Sequence, residues 1–301
     1  MILRIRHTTR FSYTQPAYES HNEVRMTPRP SAGQRCLWSR VDVEPPAAVL
    51  RFDDAFGNAV HAISLHAPHP ELVIVASAEV ERAEPRPLRA ARVPFSEFLG
   101  EDDARTRQHF EYLNPSRYVP FSDRLRKFFW ASRPAPSEQV DEYALRIVRF
   151  VRDQFEYDRG ATHVHSSLDD VLVAGGGVCQ DFAHLTIGML RLAGLPARYV
   201  SGYVASGDGD AAPSEQASHA WIEALLPGAG WTGFDPTHRG RTTERHVRVA
   251  IGRDYGDATP LRGVYRSAGG VERMSVEVAV EKRTEPGGEA AADAAGTQSQ
   301  Q

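Results

Sequence analysis

One cysteine of this sequence follows a run of glycines and opens a segment with helical character. Cys179 comes after Gly175-Gly176-Gly177-Val178, and the amphipathic run behind it ends at the stop signals Gly194 and Pro196. These signals predict a helix from near Cys179 to near Ala193. The first turn of a helix has unpaired backbone N–H groups and the positive end of the dipole, so it favours a thiolate, the nucleophilic form of cysteine.

The surroundings of Cys179 suggest what else its chemistry needs. The glycines before it would let another backbone or a substrate pass close to the sulfur. Helical spacing places the sulfur on the packed side of the helix. The residues that share this side are Phe182, Ala183, Thr186, Leu190 and Ala193. Whatever packs there must supply a base for the thiol proton.

Two strand-like segments downstream carry a candidate base and a candidate carboxylate. Their key residues are His219, in the segment 218–224, and Asp235, at the end of the segment 231–235. A Cys–His pair with a carboxylate behind the imidazole suits acyl transfer, because the histidine takes the thiol proton, later protonates the leaving amine and keeps one tautomer. The pattern predicts that Asp235 orients His219.

The turn between these segments leaves their register open. A four-residue loop at 227–230 would place Asp235 opposite Ile222, three positions and about 10 Å from His219. A bulge, the strand twist or a different turn register would close that gap.

Several further residues are candidates for binding the reacting group. The backbone N–H of Cys179 would be one donor to an oxyanion, and a second donor is needed. Its candidates are Tyr157, His165 and Gln180. The candidates for a substrate-cleft wall are the aromatic residues Tyr199, Tyr203 and Trp221, although a core role is the commoner one for such residues.

A metal site is the less favoured interpretation of the histidines. His163 and His165, with Cys179 and His184, could form a cluster, but no CxxC or HExxH spacing occurs. We therefore expect no metal and no cofactor. His184 points to another face of the helix and is predicted to be a polar core residue, and Asp181 is an acid favoured in a first helical turn.

The segment before this site divides into a β part and a helical part. Residues 1–85 alternate apolar and polar side chains in short runs separated by turns, which predicts an antiparallel β domain with Cys36 as a small packing residue. The predicted strands are Leu3–Tyr13, Leu37–Val43, Val49–Phe52, Ala59–Leu65 and Leu72–Val80.

Three further segments complete the predicted organisation. Residues 86–156 begin with a Pro-rich linker and continue with helical spacing after Ser137, a predicted N-cap. Residues 157–283 form the predicted catalytic core. Residues 284–301 have no large apolar side chain, so disorder is expected.

Composition narrows the possible partners and compartment. The 301 residues are 41% hydrophobic, and a net charge of −4 with a pI near 6.3 gives no positive field for nucleic acid or an anionic membrane. The alternating N-terminus is unlike a signal peptide, and no stretch has the length of a membrane span. Two cysteines are too few for a disulfide framework, so a reducing cytoplasm is expected.

The ordered motifs resemble a known family, the bacterial transglutaminase-like proteins. The blocks similar to the family core are Gly177–His184, Ala197–Tyr203, Ser218–Glu223 and Trp231–Thr237, and those similar to its N-terminal accessory domain are Arg6–Tyr13 and Asp54–Asn58. The resemblance implies an α+β fold, in which an antiparallel β-sandwich-like domain precedes a papain-like core. It also implies a triad of Cys179, His219 and Asp235.

The family resemblance leaves the reaction open. Members include transglutaminases, peptidases and amidases, which implies a peptide or protein substrate with an amide group and, for transamidation, an amine co-substrate. The sequence has no acidic loop like the calcium sites of animal transglutaminases, so calcium dependence is not carried over from them and stays open. The alternative is a non-catalytic peptide-binding or scaffold module, a role that usually follows loss of a triad residue.

Overall fold

The architecture of the protein is α+β, as predicted, with an N-terminal antiparallel β domain followed by a core in which helices pack against a second antiparallel sheet. A computed structural model describes residues 1–85, 92–100, 108–163, 166–206 and 218–283. The tail predicted to be disordered, 284–301, and the part of the predicted linker at 86–91 lie outside the described residues.

The β domain is built around one long strand, β1 (Ile2–Val24), which takes part in two halves of the sheet. Its first half pairs with β5 and its second half with β4, and the register shifts between Ser12 and Ala17. Buried residues alternate with more exposed ones along the first half, which confirms the predicted period of two. The other strands are β2 (Gln34–Glu44), β3 (Ala48–Asp53), β4 (Ala59–Leu65) and β5 (His69–Arg82).

The free side of β1 is covered by strands from the far end of the described chain. These strands are β13 (Leu261–Arg266) and β14 (Val271–Arg283). Ile2 pairs with Arg283, and Val24 pairs with Leu261. Residues 261–283, predicted to belong to the catalytic core, thus pair with the β domain. The β domain is therefore bonded to this later part of the chain through two strands.

A helical segment connects the β domain to the core. It contains α1 (Phe95–Gly100), a 3-10 turn (Phe110–Tyr112), α2 (Asp123–Trp130) and α3 (Val140–Gln154). The buried face of α3 confirms the predicted helical spacing. The predicted N-cap Ser137 is wrong, because α3 begins after Gln139. Phe95 donates to the carbonyl of Glu138 and Val140 donates to that of Val93, and these bonds keep the chain extended up to Gln139.

The core packs a central helix against a five-stranded sheet. The strands of the sheet are β8 (Ala197–Val204), β9 (Ser218–Leu226), β10 (Gly230–Asp235), β11 (Gly240–Arg241) and β12 (His246–Gly252), in the order β11-β10-β9-β8-β12. The central helix is α5 (Cys179–Leu192), as predicted, and its apolar side chains join those of β8 and β9 in one core.

Four short elements complete the core. They are the parallel pair β6 (Glu156–Tyr157) and β7 (Gly176–Gly177), α4 (Leu168–Ala174) and, after β12, α6 (Tyr255–Ala258). Within the described ranges, no helix is both long enough and apolar enough to cross a membrane.

Candidate active site

The first turn of α5 is fixed by the carboxylate of Asp181. Asp181 Oδ2 accepts the backbone N–H of Val178 at 2.9 Å and the hydroxyl of Thr162 at 2.6 Å. This confirms Asp181 as a first-turn acid that binds the helix start. A Cβ at residue 177 would lie 2.6 Å from Asp181 Oδ2, so the close approach requires Gly177. Cys179, half-buried at the beginning of the helix, is thereby held in a defined position.

The turn between β9 and β10 settles the register that the sequence left open. Leu226 pairs with Gly230 and Ile222 with Phe234, so the loop has three residues, not the four that created the predicted gap. Continuing this register places Asp235 opposite Trp221. Since side chains alternate with a period of two, Asp235 then lies on the same face as His219. The His219 Nε2 to Asp235 Oδ2 distance is 2.8 Å.

His219 also reaches the sulfur of Cys179. Cys179 is close enough to His219 to help raise its pKa, and since Asp235 Oδ2 lies against Nε2 of His219, Nδ1 is the ring nitrogen left for the sulfur. Burial alone would lower the pKa of His219, but the bonds to Asp235 and Cys179 outweigh burial and raise that pKa to about 10. The imidazolium is therefore the stable form of His219 at neutral pH, and it is placed to balance a thiolate.

Asp235 is fully buried and carries more bonds than a triad requires. Its Oδ2 lies 2.8 Å from His219 Nε2, 2.6 Å from His238 Nδ1 and 3.0 Å from His246 Nε2. Its Oδ1 accepts the N–H of Thr237 at 2.9 Å. Burial alone would raise the pKa of Asp235, but the three histidines outweigh burial and hold that pKa far below its usual range. Asp235 is thus an ionised acceptor.

Sequence reasoning missed His238 and His246. His246 is 6% exposed, and its Nδ1 accepts the N–H of Thr243 at 3.1 Å. Its Nε2 must therefore carry the hydrogen that Asp235 accepts, and burial lowers its pKa, so it is neutral. The position of His238 three residues after Asp235 was the only local signal for either residue. His246 lies on another strand, and no sequence spacing connects it with the site.

Trp221 supports the imidazole of His219 from one side. Its ring stacks on His219 with centroids 6.2 Å apart, and it meets His246 edge-on at 5.3 Å. A Cβ at Gly202 would lie 2.4 Å from the Trp221 ring and 2.1 Å from a backbone oxygen, so the ring depends on glycine there. Trp221 is 3% exposed, which favours the packing role over that of a cleft wall.

Burial also favours packing roles for the other two aromatic cleft candidates. Tyr199 is 2% exposed and its ring lies 5.1 Å from that of His184. Tyr203 is 3% exposed and its hydroxyl lies 3.0 Å from Nδ1 of His7 on β1, so it joins the core to the β domain. His184 is a buried core residue, as predicted, and its Nε2 accepts the N–H of Tyr255 at 3.1 Å.

The oxyanion candidates occupy different positions. Tyr157 pairs with Gly177 in the β6–β7 ladder. Burial, and to a smaller extent the nearby Cys179, raises the pKa of Tyr157. Gln180 is half-buried in the first turn of α5. His165, which was also part of the cluster considered for a metal, lies outside the described residues.

The fold and the site define the class of protein. Residues 3–81 match the model of the bacterial transglutaminase-like N-terminal region, and residues 130–236 match that of the transglutaminase-like superfamily. The uncharacterized protein ML0607 of Mycobacterium leprae is 37% identical over 273 residues, which cover 90% of this chain and 95% of that protein. The chain belongs to the transglutaminase-like superfamily.

Two further relatives connect the chain to proteins with a described activity or structure. A protein-glutamine gamma-glutamyltransferase of Pseudomonas aeruginosa is 32% identical over 119 residues, which are 36% of this chain and 17% of that protein. The crystal structure of a candidate cysteine protease from Cytophaga hutchinsonii superposes with a TM-score of 0.70 at 23% identity, covering 95% of this chain and 93% of that one. The superposition shows that both chains share one fold.

Proposed function

We propose that the protein is a cysteine-dependent enzyme that transfers or hydrolyses the acyl group of an amide. Cys179 is the nucleophile, His219 carries the proton and Asp235 orients His219. The observation that supports the proposal is the position of the His219 ring, whose Nε2 lies 2.8 Å from Asp235 Oδ2 and which is close enough to Cys179 for that residue to help raise the pKa of His219. This is the geometry that a thiolate–imidazolium pair needs.

The first half of the reaction forms a thioester. The Cys179 thiolate attacks the carbonyl carbon, and the π electrons move to oxygen. The backbone N–H of Cys179 and a second donor stabilise that oxyanion, and we rank Tyr157 above Gln180 because its ring lies near the sulfur on a paired strand. His219 then gives its Nδ1 proton to the departing amine as the C–N bond breaks.

The second half of the reaction decides the product. Water attacking the thioester gives an acid, whereas a primary amine gives a new amide, and in each case His219 Nδ1 accepts the proton of the attacking group. The substrate is then a peptide or protein with an amide group, with an amine as co-substrate for transamidation. Both products follow from the same three residues, so the group admitted next to the sulfur selects between hydrolysis and transfer.

We propose a reducing compartment, the cytoplasm, as the place of action. Cys36 and Cys179 are both free thiols. A catalytic thiolate stays active only while it is reduced.

The function can be tested with a labelled primary amine and a pool of glutamine-containing peptides, with and without calcium. Mass spectrometry would read amine incorporation, new peptide termini and released ammonia. We expect at least one of these products, its loss in Cys179→Ala and its retention in the matched control Cys36→Ala.

The scaffold alternative predicts a different outcome. None of the three products would form, and iodoacetamide would label Cys179 as slowly as Cys36, whose pKa is raised by burial. That result would refute the enzymatic proposal.

A further inference from the structure

Two histidines and the buried carboxylate between them offer a set of atoms that could bind a metal ion. Nε2 of His219, Oδ2 of Asp235 and Nδ1 of His238 lie within 4.8 Å of one another. The two nitrogens are already 2.8 Å and 2.6 Å from the same oxygen. Ligand atoms of a tetrahedral zinc ion, bound at about 2.0 Å, lie about 3.3 Å apart, so the two nitrogens would have to move about 0.5 Å and about 0.7 Å away from the oxygen to admit the ion.

The carboxylate of this set is held in place by groups that would not bind the ion. Asp235 Oδ1 accepts the N–H of Thr237, and His246 donates to Oδ2 through its Nε2 hydrogen. Nδ1 of His246 is occupied by the N–H of Thr243, so this ring keeps its tautomer and orients Asp235. Partners of this kind, which fix a ligand without touching the metal, are usual around zinc sites.

The set is open to solvent on one side. The side chain of His238 is 60% exposed, whereas those of His219 and Asp235 are 7% and 0% exposed. An ion would therefore arrive past His238, and water would fill its fourth position. Two imidazole nitrogens with one carboxylate favour zinc or another late divalent transition metal over calcium or magnesium, which prefer oxygen ligands.

We propose that His219, Asp235 and His238 bind a divalent zinc-class ion that reversibly blocks the site. The ion would replace the hydrogens that Asp235 shares with the two histidines, so Nε2 of His219 would bind metal and no longer donate to Asp235. The inhibitory effect rests on the proposed function of His219, but binding of the ion does not.

The binding test uses the full chain with Cys179→Ala, which removes the active thiol as a ligand. Metal-free protein would be titrated with zinc chloride against a chromophoric chelator. The matched control is His66→Ala, because the His66 side chain is 66% exposed and it belongs to the group Glu19, His21 and His66, which could also hold an ion. His238→Ala should weaken one site at least tenfold, and His66→Ala should leave that site unchanged.

Two outcomes would overturn the proposal. One is equal zinc affinity in His238→Ala and its parent. The other is loss, in His66→Ala, of the zinc site that is assigned to His219, Asp235 and His238. His238→Gln adds a second variant, since glutamine can still donate to Asp235 but is a poor zinc ligand. It should fold as the parent does, by circular dichroism, and lose the same site.

A readout on the protein with its native Cys179 separates the two proposals. Zinc should slow labelling of Cys179 by iodoacetamide, a chelator should restore it, and His238→Gln should make labelling insensitive to zinc. Zinc binding at His238 with unreactive Cys179 would refute only the enzymatic proposal. A reactive Cys179 whose labelling is insensitive to zinc would refute the proposed block and leave the enzymatic proposal standing.

Discussion

Replacing Asp235 with asparagine would remove the charge that keeps His219 protonated while nearly preserving side-chain shape. The bonds to Asp235 and Cys179 raise the pKa of His219 from 6.5 to about 10. At about 1.4 kcal/mol per pKa unit, this net difference corresponds to roughly 5 kcal/mol, which is what the two partners supply beyond the opposing effect of burial. Without Asp235, burial would drive the pKa of His219 back toward or below 6.5.

The expected loss follows from the protonation of His219. At pH 7.5, a histidine with a pKa of about 10 is nearly all imidazolium, whereas one with a pKa of about 6.5 is roughly 9% imidazolium. The population of the thiolate–imidazolium pair should then fall at least about tenfold. Asparagine can also donate to Nε2 and favour the wrong tautomer, so kcat/KM should fall by about 10² to 10⁴.

The assay needs no substrate. Iodoacetamide labelling of Cys179 would be followed by peptide mass spectrometry from pH 5.5 to 9.5, with Cys36 in the same digest as the internal control. The native protein should label Cys179 rapidly with little change between pH 6 and pH 9, whereas Asp235→Asn should label slowly at pH 6 and faster as the pH rises. Superimposable profiles of the two proteins would refute the role given to Asp235.

Three more predictions concern the groups around the triad. His246→Leu should lower the free energy of unfolding by about 1.5–3 kcal/mol, the value of a buried hydrogen bond to a charged group, and should slow labelling of Cys179. His246→Gln keeps a donor and should recover part of the stability and part of the labelling rate. Equal urea midpoints for the two variants would contradict this. Gly202→Ala should lower stability by at least about 1–3 kcal/mol in thermal unfolding because its Cβ would collide with the Trp221 ring, whereas Gly270→Ala, which adds a Cβ in open space, should not. Because the pKa of His219 is raised in the folded protein, the stabilising effect of its protonated form is complete below pH 6.5 and fades toward about pH 10. The difference in urea stability between the native protein and His219→Gln should therefore shrink over this range. A difference that grows with pH would refute the raised pKa of His219.

The elements that carry the proposed triad were predictable because their signals are local. Gly194 and Pro196 mark the end of α5, and alternation of apolar residues marks β9 and β10. These signals placed Cys179 and His219 on the correct elements. The predicted triad then required only that the elements meet in space.

The details that bring the side chains together were less predictable. The turn holds Gly228 and Gly230 with positive φ of 69° and 70°, and one residue of loop length decides on which face Asp235 lies. A sequence pattern cannot distinguish a three-residue from a four-residue loop here. His246 reaches Asp235 only through β12, which pairs with β8 across the sheet.

The pairing of β13 and β14 with β1 also could not be predicted from the sequence. Residues 261–283 alternate as other strands do, but nothing in their own pattern identifies β1 as their neighbour. That pairing is set by the shape of the whole β domain. It joins Ile2 to Arg283, so local rules have no information about it.

This pairing has a consequence for how the protein matures on the ribosome. One edge of β1 can join β5 and β4 early, but its other edge must wait for β13 and β14. At about 5–20 residues per second, translation from Ile2 to Arg283 takes roughly 14–56 s. During that interval a long strand edge is open to pairing with other chains. The nascent chain thus needs protection from aggregation until β13 and β14 cover the second edge of β1.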